Sequence, residues 1–154
     1  MEVKMKFKKL SSTLALALML TFTFSNLAHA SLQKPNVYVN NQKLDIYANV
    51  SAVDVTYVPF RPIFDKLNMT VNWDNDKKSV TATNETTTII LTNDSYTAYV
   101  NDKAVKLINP PFYNPDDKLF YVNLRFVAES TGATVNWSKN KTDANIYITN
   151  PNLK

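Results

Sequence analysis

The sequence predicts an α+β fold made of two β-β-β-α-β-β repeats, with short helices packed on antiparallel sheets. Three observations carry that expectation. The stretch Tyr57–Trp73 recurs as Tyr121–Trp137 at an offset of 64 residues and without a gap. Tyr57/Tyr121, Val58/Val122, Arg61/Arg125, Thr70/Thr134, Val71/Val135, Asn72/Asn136 and Trp73/Trp137 then coincide, and an internal repeat constrains the fold more than any single residue does. Most of the remaining chain alternates apolar and polar residues, the period of a half-buried strand. Each copy also holds one helical apolar stripe, too short to persist alone in water. Such a helix must dock on a sheet, which gives a layered α+β arrangement.

The elements follow in order. Val37-Tyr-Val-Asn40 alternates, reaches Asn40-Asn41 and resumes at Lys43–Tyr47, a hairpin whose asparagines supply the positive-φ turn residues. Ala98–Asn101, Asp102 and Lys103–Ile108 repeat it at an offset of 61. The three extra residues of the second copy fall within Asn109–Lys118, a segment rich in turn formers. Thr56-Tyr-Val58 reads as a short strand running into a helix, with Pro59 suited to the helix start and Asn123 a cap at the same place in the second copy. Phe60, Ile63, Phe64 and Leu67 form the stripe of the first helix, and Leu124, Val127 and Ala128 that of the second. The helices stop at Asn68 and at Gly132, the only glycine, because both residues tolerate the left-handed conformation. Thr70–Asp74 and Thr134–Ser138 are strands with Val and Trp on one face. They turn back at 75–78 and 139–142 into partners at 79–83 and 145–148, and 86–91 and 96–100 add further strand material.

Residues 1–30 read as a secretory signal peptide. A basic start (Lys4, Lys6, Lys8, Lys9), an apolar run from Leu14 and an Ala28-His29-Ala30 cleavage signal carry that reading. The rival, an uncleaved membrane anchor, is disfavoured because Thr21, Thr23, Ser25 and Asn26 interrupt the apolar run. The repeats then occupy 31–96 and 97–154, close enough to form one compact domain, and no later apolar run approaches the ~20 residues of a membrane span. Of 17 Lys+Arg and 13 Asp+Glu, four lysines and Glu2 belong to the leader, which leaves 13 against 12 and a net charge of +1. That near-neutral balance speaks against nucleic acid as a partner. The single histidine, His29, also lies in the leader, and the chain has no cysteine. Residues 31–154 therefore offer no imidazole or thiolate for zinc, copper or a Ser–His or Cys–His nucleophile. No cofactor is expected.

The order of strand, Asn turn, strand, loop, Val-Pro-x-Arg helix, small-residue helix stop and Val-x-Trp hairpin resembles the copper amine oxidase N-terminal-like, or stalk, domain family. The resemblance spans Val37 to about Thr149. Asn41 and Asp102 stand where the family has glycine after the turn Asn, Asn68 stands for its helix-ending glycine and Asn123 for its helix proline. The resemblance implies a non-catalytic module of secreted or cell-surface proteins, of the kind tandemly repeated in Gram-positive bacteria. It does not carry over an oxidase activity, since copper and quinone belong to a separate catalytic domain.

Several residues remain as candidate sites. Arg61/Asp65 and Arg125/Glu129 are i, i+4 pairs, expected as intrahelical salt bridges rather than as carboxylate-binding groups. Trp73 and Trp137 could stack on sugars but are expected at the edge of the core. Phe112, Tyr113, Asp116 and Asp117, on the divergent 110–118 loop, are the residues best placed for a partner, although Phe112 tucked onto the core is the simpler expectation. Two adjacent acids are too few oxygens for Ca²⁺, and no pair of carboxylates points to glycoside hydrolysis. The expected function is that of an envelope-associated or extracellular binding or spacer module, its partner a cell-wall component or another secreted protein. The rivals are a modulator or inhibitor of a secreted protein acting through 110–118, and a hydrolase relying on carboxylates alone.

Overall fold

A computed structural model describes residues 34–140 and 143–153. The expected signal peptide, its cleavage motif and His29 lie outside the described residues, as does part of the 139–142 turn. In chain order the elements are β1 (Asn36–Val39), β2 (Gln42–Leu44), β3 (Asn49–Val50), β4 (Thr56–Pro59), α1 (Phe60–Lys66), β5 (Thr70–Asp74), β6 (Ser79–Thr83) and β7 (Thr88–Thr92). They continue as β8 (Thr97–Val100), β9 (Lys103–Lys106), β10 (Phe112–Asn114), β11 (Leu119–Asn123), α2 (Leu124–Ser130), β12 (Thr134–Lys139) and β13 (Ala144–Thr149).

The coarse expectation, antiparallel β structure with two short helices, is what the chain forms. Four strands rather than three precede each helix, however. β3 and β10 are the additions, of two and three residues, too short for alternation to mark them. The tight turns use side-chain-bearing residues at left-handed φ: Asn40 and Asn41 at 45° and 67°, Asn101 and Asp102 at 48° and 63°. These are the signs a two-residue type I′ hairpin requires. Asn68 (φ 54°) and Gly132 (φ 80°) close the helices in the same conformation. Met69 N–H donates to the Phe64 carbonyl at 3.0 Å, and Ala133 N–H to that of Ala128 at 3.2 Å, which satisfies carbonyls a helix end would otherwise leave orphaned.

The strands form three sheets, ordered β12-β13-β1-β2, β10-β11-β4-β3 and β5-β6-β7-β8-β9. Every pairing is antiparallel except β1 with β13, which run parallel from Asn36↔Asn145 to Val39↔Ile148. The first sheet thus joins the β1–β2 hairpin to the β12–β13 hairpin. The third joins the Trp73 hairpin to the β8–β9 hairpin, with β7 between them. In the second, Val58 pairs with Val122, Tyr57 with Asn123 and Pro59 with Tyr121. Val58 and Val122 are themselves 64 residues apart, so positions of the recurring stretch pair about this point as about a twofold axis.

Both helices pack on β4 and β11; α1 also meets β5, and α2 meets β12. One continuous core results, in which Ile63, Phe64 and Leu67 of the first half and Phe120, Leu124 and Val127 of the second are all buried. A small second cluster, Val55, Tyr57 and Tyr121 with Phe112 against it, lies apart from that core.

Candidate functional site

Each helix and the tryptophan strand after it open a groove on the surface. The first, of about 560 Å³, includes Arg61, Trp73, Tyr47, Tyr113, Lys118 and Leu119 in its walls. The second, of about 490 Å³, includes Arg125, Trp137, Val53, Val55, Ile108 and Lys139. Arg61/Arg125 and Trp73/Trp137 correspond at the offset of 64, and Tyr47/Ile108 at 61. The grooves are equivalent in framework and differ in lining.

In the first groove the aromatic residues touch one another. The Trp73 and Tyr113 rings lie within 26° of parallel at 6.4 Å, and Trp73 also meets Phe60 at 5.9 Å and Phe120 at 5.1 Å. Phe60 and Phe120 are buried, whereas Tyr47 is 53% exposed. The Arg61 guanidinium rests 4.9 Å from the Phe60 ring centroid. The apolar lining of the second groove is aliphatic apart from Trp137, and Ile108 at its rim is 79% exposed.

The arginines show how equivalent positions diverge. Arg125 donates to the Glu129 carboxylate and to the Val135 carbonyl, both at 3.1 Å. The corresponding ion pair between Arg61 and Asp65 does not form. The only ion pairs among the described residues are Lys77–Asp74 and Arg125–Glu129. Trp73 is half-buried against the core, whereas Trp137 stands 42% exposed. Gly132 serves the helix stop and takes no part in either groove.

The 110–118 segment is folded onto the molecule. Phe112–Asn114 is strand β10, paired with β11. Phe112 stacks on Tyr121 at 5.1 Å and meets Tyr57 edge-on at 5.1 Å. Asp117 accepts hydrogen bonds from the Tyr121 hydroxyl at 2.7 Å and from Leu119 N–H at 2.9 Å. The Tyr121 hydroxyl holds that carboxyl below its ordinary range, while burial and then the carboxylate push Tyr121 up to about 12. The backbone N–H of Asp116 is anchored on Asn114 at 3.1 Å. Of the four residues singled out here, only Tyr113 lines a groove.

Among the groove residues that sequence reasoning missed are Tyr47, Lys118 and Leu119 in the first groove and Val53 and Ile108 in the second. Strand β2 ends at Leu44, so Tyr47 leaves the alternation assigned to it and turns outward. The correspondence of Tyr47 with Ile108, two large residues just past matching hairpins, was the available signal.

Copper would need imidazole or thiolate donors, and the described residues contain neither His nor Cys. Among them no three His, Cys, Asp or Glu side chains come together. They do not fit a copper centre. Among the described residues, no helix is long and apolar enough to cross a membrane.

Interlocked β-hairpins, two docked helices and two side-chain grooves make up a small α+β domain. A family model, the copper amine oxidase N-terminal domain, matches residues 37–147. The chain belongs to that family, whose defining domain is a non-catalytic part of the oxidases. The match is a single span covering both copies of the recurring stretch. Comparisons with curated proteins and with solved structures found no match.

Proposed function

We propose that this is a non-catalytic binding module, secreted or associated with a bacterial cell envelope, and that its grooves hold the ligand. One observation carries the reading. Among the described residues, five of the eight exposed large apolar side chains line the grooves: Tyr47 and Leu119 in the first, Val53, Ile108 and Trp137 in the second. Scattered exposed apolar residues need no explanation, whereas their concentration in concave surfaces marks a contact site. The leader read at residues 1–30 supports export, and the family supports a module without chemistry of its own. The 64-residue offset, together with the Val58–Val122 pairing, supports an origin in two copies of one stalk-type unit.

The test is retention of the purified protein on cell wall and on immobilised secreted proteins. Tyr47→Glu and Ile108→Glu place a charge in each groove at an exposed position, and roughly tenfold weaker retention is expected from whichever groove is used. Tyr96→Glu is the control, since Tyr96 is 55% exposed and lines neither groove. Equal retention of all three variants would sink the groove reading.

A further inference from the structure

We infer that the groove walled by Arg61, Trp73 and Tyr113 takes an anionic glycan, a sugar polymer bearing carboxylate or phosphate groups. The inference rests on the binding-module reading and names the ligand class of one groove.

Charge separates this groove from its counterpart. Arg61 and Lys118 line it. The Lys34 ammonium lies 4.0 Å from the Tyr47 ring centroid, and that of Lys78 lies 5.6 Å from the Tyr113 centroid. None of these four cations is in an ion pair among the described residues. Asp45 is the one carboxylate in the lining. This local excess belongs to a chain with a net charge of only +1 from Ser31 onward. In the other groove Arg125 is neutralised by Glu129, and Asp54 stands with Lys139 in the lining. A concave surface carrying unpaired cations focuses its field on an anion. The four cations come from four places in the chain: the approach to β1, helix α1, the β5–β6 turn and the β10–β11 turn. A ligand with repeated charges meets more than one of them.

The floor selects the rest of the ligand. Trp73, Tyr113 and Tyr47 offer aromatic surface against which the apolar C–H face of a sugar ring can pack. Asn75 and Asp45 supply acceptors for hydroxyl groups. An inorganic anion would use the cations and leave the rings idle, and a neutral sugar would do the reverse. An anionic glycan uses both.

The chain has two tryptophans, one in each groove, so single-tryptophan variants report which groove is filled. Trp137→Phe, which leaves Trp73 as the reporter, is titrated with an oligogalacturonate and with a phosphomannan fragment. The expected result is a saturable change in Trp73 emission with at least one of them, lost at high salt. Arg61→Ala and Lys118→Ala, both at exposed positions, should each weaken binding about three- to tenfold, and Lys103→Ala and Lys106→Ala should leave it unchanged. The inference is overturned by equal binding of neutral maltohexaose, by tighter binding of polyglutamate, by a response only from Trp137 in Trp73→Phe, or by no saturable binding of either glycan. If both glycans fail while Tyr47→Glu still abolishes wall retention, the ligand class falls and the groove remains. If Tyr47→Glu also has no effect, the reading of this groove falls with it.

Discussion

Tyr121 and Asp117 form the most sharply perturbed pair of side chains, and their titration checks the description of the 110–118 segment. The Tyr121 hydroxyl is pushed up to about 12 from 10.0, first by burial and then by Asp117. A raised tyrosine stabilises the fold fully below pH ~10, and that contribution is lost as pH climbs through the folded value near 12. Asp117 runs the other way, because its lowered pKa contributes stability above the ordinary 3.8 that is lost as pH falls below it. Spectrophotometric titration should find a tyrosine that ionises near pH 12 in the wild type and is missing in Tyr121→Phe. In that variant the Asp117 carboxyl, followed by NMR, should move back toward its ordinary range. An unshifted Asp117 would refute the hydrogen bond. At this scale the sequence was legible where the backbone decides and less so where side chains compete. Asn40, Asn68 and Gly132 adopt the left-handed φ their residue types suggest. Arg61 and Asp65 have the spacing of a salt bridge and do not form one, although Arg125 and Glu129 in the same order do; the Phe60 ring offers the Arg61 guanidinium another surface.

At the scale of elements, the two helices are alike in length and unlike at their starts. Asn123 accepts a hydrogen bond from Phe126 N–H at 3.2 Å and caps α2. Pro59 precedes α1 with no side-chain cap, although its missing N–H costs nothing at that position. Asn123→Ala should therefore lower stability by about 1 kcal/mol in chemical denaturation. At the other end, a Cβ on Gly132 would meet only Asn152 Nδ2 at 3.8 Å, an ordinary contact. Gly132→Ala is then opposed by the backbone alone, and its φ of 80° should make the variant about 1 kcal/mol less stable. A neutral result for both would show that tertiary packing, not capping, fixes the helix ends. Most elements were legible because period and punctuation agree: stripe, stop residue, alternation, turn asparagine. What escaped was short or set by neighbours. β3 and β10 exist as partners for β4 and β11, and a run of two or three residues has no period to read.

At the scale of the whole molecule, the unread part was which strand lies beside which. Alternation marks a strand and its buried face but does not name its neighbour. The boundary between 96 and 97 follows the recurring sequence, yet pairing ignores it. β1 is completed by β13, β4 by β11, and β7 joins β6 to β8. Phe64 of α1 and Val127 of α2 belong to one buried cluster, and the described residues belong to one compact unit. A half ending at residue 96 would expose the long edges of β1 and β4 and the apolar face of α1, which also rests on β11. A segment of that size already buries too little surface to be comfortable alone, and open hydrophobic edges invite aggregation. The expected outcome is that fragments 31–96 and 97–154, each made separately, lack dispersed amide resonances. Mixed together, they should recover the spectrum of the intact protein in a concentration-dependent way, since the missing pairings become intermolecular. A folded, monomeric 31–96 fragment would show that the recurring unit is self-sufficient and that the pairings across its boundary are not needed for folding.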